Sequence, residues 1–402
     1  MARGLRRQGH DLVIVQPCRN SSEAGHEYDG FLVGHISYRA PDLPYVRNYF
    51  KNERLYRRLT GVLRGIVQQQ RIELIHAQHV LTAPPAIAAA RAEHIPGVCT
   101  VRDYWPVCYW SDLVLNYSRD SLCPGCSPRM MTQCIRPRAG PAWPLALPMI
   151  PYMAANLARK RAALATADAI VAVSSTIARD LATRAPELRA VRLEVIPNPV
   201  DVAGMLAAAS AGSPPELQEF ALYVGKLAPN KGVGKLWPAL DRARLPYPLV
   251  VIGDGSERLR LEQEAKQSRR PVIFTGWLPR EDVLVWMRHA RMLVFPSHGP
   301  ESLSRVLLES AALGVPIAAM ETGGTGDIIR HEETGLLSQS AEELGEHMGR
   351  LARDHALASK LGAAAREHIR ATFETRCVID RLERLYDELR RSTTKVPGST
   401  RA

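Results

Sequence analysis

Glu301 and Glu309 are two carboxylates separated by seven residues. The first lies in a Pro-Ser-His-Gly-Pro-Glu loop behind an apolar run, Met292–Phe295. Residues 305–313 have helical character, and Gly314 and Pro316 end the run. Glu301 therefore stands just ahead of a helix, with Glu309 about two turns further in. The free amides at such a helix start, around Ser302, Leu303 and Ser304, point into the loop mouth, where the dipole favours an anion. A diphosphate suits that mouth, and the carboxylates can accept hydrogen bonds from sugar or ribose hydroxyls. Ser304 is also placed to cap the helix. The same residues fit a capped amphipathic helix with two surface glutamates.

A second group is sulfur-rich. Cys108, Cys123, Cys126 and Cys134 cluster around a Cys-Pro-Gly-Cys core. Four thiolates at such spacing bind zinc, and an iron–sulfur cluster is a lesser alternative; unligated thiols are the competing reading. The surrounding segment, 105–142, is rich in Pro and Ser and shows neither helical nor strand periodicity. Three polar residues follow predicted strands: His76, Arg102 and Asp103. His76 is a strand-end histidine, and such residues are more often structural than catalytic. Arg102 fits either an acceptor phosphate or carboxylate, or a surface arginine beside a helix cap.

These groups need a frame. Short apolar runs at 11–16, 31–38, 72–76, 97–101, 169–173 and 191–196 alternate with helical stretches such as 45–70 and 83–92. A second alternating series has strands at 221–224, 249–252, 272–275, 292–295 and 315–319. Alternation of this kind predicts parallel sheets covered on both faces, with ligands at the carboxyl ends of the strands. In the second series those ends carry Gly225-Lys226, Gly253-Asp254-Gly255, Gly276-Trp277 and the Glu301 loop. The glycines allow close backbone approach to a ligand or simply make turns. A linker is expected at 203–217 from its Ala, Ser, Gly and Pro content. The expected domains are 1–210, with the Cys-rich insert 105–142, then 218–370, then a helix and tail at 371–402 that packs back on the first domain.

The 402 residues carry a net charge of +11. Up to Ser210 there are 25 Lys and Arg against 16 Asp and Glu, and afterwards 27 against 25, so the basic surplus of 9 plus 2 lies mainly in the first half. The cations are scattered, and no nucleic-acid module is visible, so no nucleic-acid partner is expected. A phosphorylated acceptor or an anionic membrane surface is the better match. No apolar run reaches the ~20 residues of a membrane span. Residues 143–156 are apolar and fit either a core helix or a segment on a membrane interface. The expected location is cytoplasmic, with peripheral contact at the inner membrane face as an addition.

From Tyr223 onward the sequence resembles glycosyltransferase family 4. The matching stretches are YVGKLAPNKG, VIGDGSE, FTGWLP, VFPSHGPESLSRVLLESAALGVP and TGGTGDIIRHEETGLL, in order. The likeness reaches back through VIPNPVD and AIVAVSS to HAQH. It implies the GT-B fold: an α/β protein of two Rossmann-like domains facing each other across a cleft. It implies a retaining hexosyltransferase that takes a sugar from a nucleotide donor (UDP-, GDP- or ADP-sugar) to a sugar or lipid-linked precursor of a polysaccharide. By the same resemblance, Glu301 holds the donor sugar and Glu309 the ribose. Lys226 and Lys231 neutralise the diphosphate, so no metal cofactor is required for catalysis; a zinc on the cysteines, read from their spacing alone, would be structural.

Three departures stand out. The family's opening strand and Gly-rich loop have no counterpart before Gln8-Gly9-His10-Asp11, so a gap is expected in the middle of the first sheet. Arg102 stands where the family often has His. Ser304 stands where a glycine is common. A catalytically silent homologue that binds a nucleotide or a partner is therefore the alternative function.

Overall fold

The computed structural model describes residues 1–21, 24–42, 44–116, 121–268, 271–394. The chain divides into two compact units. One comprises Met1–Ser111, Gly125–Ile196 and Ile379–Ala402; the other comprises Asp112–Pro124 and Pro197–Val378.

The second unit is built on a six-stranded sheet. Its order is Val272–Gly276, Leu249–Ile252, Ala221–Val224, Met292–Phe295, Ile317–Met320, Leu336–Ser338, and every pairing is parallel. Five of these strands are buried at every position but one at most, as expected when helices cover both faces. Numbered along the chain, the order is 3-2-1-4-5-6, the doubly wound arrangement. The direction of winding reverses between Ala221–Val224 and Met292–Phe295, whose first pair is Ala221 with Met292. At such a reversal the loops leave the carboxyl ends in opposite directions and open a crevice. The lysine loop follows one of these two strands and the Glu301 loop follows the other.

The first unit holds two separate sheets. Ile75–Ala77, Gly97–Val101, Ala169–Ala172 and Arg192–Val195 form a parallel sheet. Ile14–Arg19 pairs parallel with Phe31–Tyr38, which also pairs antiparallel with Gly25–Tyr28. No ladder joins the two sheets among the described residues. From Ile379 the last helix, Thr375–Thr394, belongs to this unit. It is held by His10–Glu383 at 3.0 Å and Arg390–Glu73 at 2.9 Å.

Three expectations need correction. The presumed linker 203–217 opens with a helix, Val202–Ala211, whose N-terminus is capped by Asp201 accepting from the Gly204 amide at 2.9 Å. Alanine is the strongest helix former, so the Ala-rich stretch there was misjudged. The units divide ahead of it, at Ile196/Pro197. The Cys-rich insert contains a helix, Pro128–Ala139, started by Ser127 as cap and Pro128 in the first turn. The strand Gly25–Tyr28 lies in a stretch expected to be irregular. Of the apolar segment, Met149–Leu164 is a helix with Met153 and Leu157 buried, so it serves as a core helix. No described helix is long and apolar enough to cross a membrane.

Candidate active site

The loop after Phe295 is fixed by its neighbours before any ligand enters. Ser297 is fully buried and donates its hydroxyl to Glu301 Oε1 at 2.7 Å. The same hydroxyl lies 3.3 Å from the Asn230 carbonyl, which also accepts the Gly299 amide at 3.0 Å. Gly232, in the left-handed region at φ 67°, lets the Asn230–Lys231 turn lie against Pro296, because a Cβ there would stand 1.8 Å from the Pro296 carbonyl oxygen. The turn thus delivers Lys231 Nζ to Glu301 Oε1 at 2.5 Å. On the other side the Gly324 amide donates to the Glu301 carbonyl at 2.7 Å. Gly323 packs so closely that a Cβ would meet that oxygen at 2.0 Å.

The helix Arg305–Leu313 then starts as the sequence suggests. Ser304 adopts an extended cap conformation and accepts from the Leu307 amide at 3.5 Å, and Gly314 closes the far end at φ 76°. Glu309 is buried on this helix, and Arg280 grips its Oε1 with Nε at 3.0 Å and with a terminal nitrogen at 2.9 Å. A buried carboxylate keeps its charge only with such a partner. Arg280 comes from the helix Arg280–His289, three residues past Trp277, whose ring is 73% exposed at the end of its strand.

The Lys226 side chain is exposed and has no hydrogen-bond or ion-pair partner among the described residues. Its backbone is fixed: its carbonyl accepts the Tyr223 hydroxyl at 3.0 Å, and burial raises the pKa of that phenol. Gly225 and Gly253 abut, since a Cβ on Gly253 would lie 1.9 Å from the Gly225 carbonyl oxygen, and Gly255 packs likewise on Leu227. Ser302 is half-buried and Leu303 buried in the turn after Glu301. Paired acids, two lysines, a helix start and close-packed glycine loops thus gather at the carboxyl ends of the strands flanking the reversal.

Comparison with known proteins agrees. Residues 1–203 match the family described as Glycosyltransferase Family 4, and residues 209–368 match Glycosyl transferases group 1. The chain belongs to glycosyltransferase family 4. This family-4 chain is 32% identical over 175 residues to O-antigen chain mannosyltransferase C of Escherichia coli, covering 42% of the chain and 47% of that protein. It is 30% identical over 172 residues to a glycogen synthase of Mycobacterium tuberculosis, covering 41% of each. The chain thus spans less than half the length of these relatives. Among solved structures it resembles sucrose-phosphate synthase from Thermosynechococcus elongatus, with a TM-score of 0.69 at 21% identity over 97% of this chain and 91% of that one. It also resembles HepE of Anabaena in complex with UDP, with a TM-score of 0.59 at 18% identity, covering 88% and 86%. These likenesses show the GT-B fold.

The family-4 chain uses the other sequence candidates differently. His76 has both ring nitrogens engaged, one with the Tyr386 hydroxyl and Nε2 with Thr100 Oγ1 at 2.6 Å. Desolvation, aided by the Arg102 charge, lowers its pKa to about 3. It is a structural tie between sheet and last helix, and it is not free to contact an acceptor. Arg102 donates to Gln78 Oε1 at 2.6 Å. Asp103 accepts the Trp105 amide at 2.9 Å and closes the turn after its strand. Burial raises its pKa against the pull of that amide, His79 and Lys160. Among the described residues no group of three or more His, Cys, Asp or Glu is arranged to hold a metal ion. All seven cysteines are free of disulfides. Cys134 is buried and donates its thiol to the Met131 carbonyl at 3.3 Å, and burial raises its thiol pKa to about 11.

Sequence reasoning missed Ser297, Asn230 and Arg280. Arg280 reads as an ordinary surface arginine; only the fold brings it to Glu309. Ser297 carries a weak signal, four residues before a carboxylate in a tight loop.

Proposed function

We propose that this protein is a retaining glycosyltransferase that moves a hexose-type sugar from a nucleoside diphosphate donor to a polysaccharide or glycolipid precursor. The observation that carries this reading is the triad of Lys231, Glu301 and Ser297 at the sheet reversal, with the Glu309–Arg280 pair on the following helix. Glu301 accepts hydrogen bonds from donor sugar hydroxyls, oriented by Ser297. Glu309 serves the ribose hydroxyls, and Trp277 lies beside the base.

As the glycosidic bond breaks, its electron pair goes to the leaving phosphate oxygen. Lys226, Lys231 and the helix-start amides meet that growing charge, which stabilises the transition state more than the ground state. The acceptor hydroxyl attacks from the face the phosphate leaves, and the departing phosphate takes its proton. Configuration is retained, and no separate protein base is needed. The Anabaena neighbour was solved in complex with UDP, which makes UDP-sugars the first donors to try.

The test is thermal stabilisation by UDP-, GDP- and ADP-sugars. One nucleotide should raise Tm, and Glu309→Ala should lose most of that rise. Absence of any shift across all three bases removes the donor site. Glu301→Ala should retain the shift yet lose transfer; an active variant would exclude Glu301 from the reaction.

A further inference from the structure

The first unit carries a cluster of positive charge that nothing above uses. Between residues 47 and 58 the only acid is Glu53, against Arg47, Lys51, Arg54, Arg57 and Arg58. Glu53 is already neutralised by Arg159 at 2.6 Å. Arg54 stacks over the Phe50 ring at 5.1 Å, and neither Arg54 nor Arg57 has an acidic partner among the described residues. The chain here makes a π-helical turn, Phe50–Arg54, between the helices Pro44–Tyr49 and Leu55–Gln70. Such wide turns are costly and collect at functional sites. Tyr49, Glu53, Arg54 and Arg57 line a cavity of about 260 Å³ around it. Burial, with a smaller contribution from the Arg47 charge, lowers the Lys51 pKa.

We propose that this cavity binds the phosphate of a phosphorylated saccharide acceptor. The two guanidiniums supply forked donors for phosphate oxygens. The half-exposed Tyr49 ring offers an apolar face to the sugar, and Glu53 offers an acceptor for its hydroxyls. This rests on the glycosyltransferase reading, and it names the acceptor class which that reading leaves open. The phosphate could belong to a soluble sugar ester or to a lipid-linked saccharide.

Calorimetric titration with glucose 6-phosphate, run in saturating nucleoside diphosphate to fill the donor site, tests the proposal. Saturable binding at least tenfold tighter than glucose is expected, and Arg54→Gln/Arg57→Gln should weaken it at least tenfold. The same variant should keep its thermal shift with nucleoside diphosphate. A second arm sediments the protein with phosphatidylcholine vesicles carrying a polyprenyl-phosphate-linked glucose. Binding there that glucose 6-phosphate displaces supports the proposal with a lipid-linked source. Glucose 6-phosphate binding no tighter than glucose, without displaceable vesicle binding, overturns it. So does equal binding by the double variant, or vesicle binding that the sugar phosphate cannot displace. The comparison with glucose on the unmodified protein decides even if the variant fails to fold. Loss of the nucleotide shift in the unmodified protein would instead sink the donor-site reading.

Discussion

Glu301 is held at one carboxylate oxygen by two donors of different kinds, a lysine and a buried hydroxyl. Lys231 has a second task if a diphosphate arrives, whereas Ser297 has none. Ser297 is therefore a positioning residue. Removing a hydrogen bond to a charged group costs about 1.5–3 kcal/mol, which is tenfold or more if it is felt in the transition state. Ser297→Ala should lower kcat by about that factor, with the KM for the donor nearly unchanged and the nucleotide thermal shift intact. A KM rise with constant kcat would assign Ser297 to ground-state binding. Arg280→Gln leaves Glu309 buried without its cation and should weaken nucleotide binding and lower Tm together. An unchanged Tm would mean the pair contributes little to the fold.

At the scale of elements, the site depends on loops that touch through glycine. Gly323 sits at φ 52° with its Cα against the Glu301 carbonyl. A methyl there cannot be accommodated without moving the backbone that carries Glu301. Gly323→Ala should lower Tm by several degrees and abolish transfer, while the helix Arg305–Leu313 keeps its cap. Circular dichroism with an activity assay checks this; full activity would show that the loop yields. The cap itself was readable from Ser304 and Gly314, because capping is local chemistry. The Val202–Ala211 helix and the Pro128–Ala139 helix were not read, although Asp201 and Ser127-Pro128 mark their starts.

Across the whole molecule, the chain ends in the unit where it began, and His76 lies on that closure. Its folded pKa is about 3 against an ordinary 6.5. Between those values the unfolded chain binds a proton that the folded protein refuses, so stability rises with pH across that window and is lost as pH falls below 6.5. His76→Gln should flatten the stability difference between pH 7 and pH 5 in urea melts. An unchanged slope would place the titration elsewhere. The order of strands and helices, the capped helix, the spacing of the two glutamates and the family likeness follow from local periodicity and short motifs, so the sequence alone determined them. Which lysine meets Glu301, that Arg280 neutralises Glu309 and that His76 is a tie depend on side chains far apart in sequence. Only the tertiary structure decided these, because hydrogen bonds and desolvation act over a few ångströms of space, whatever the distance along the chain.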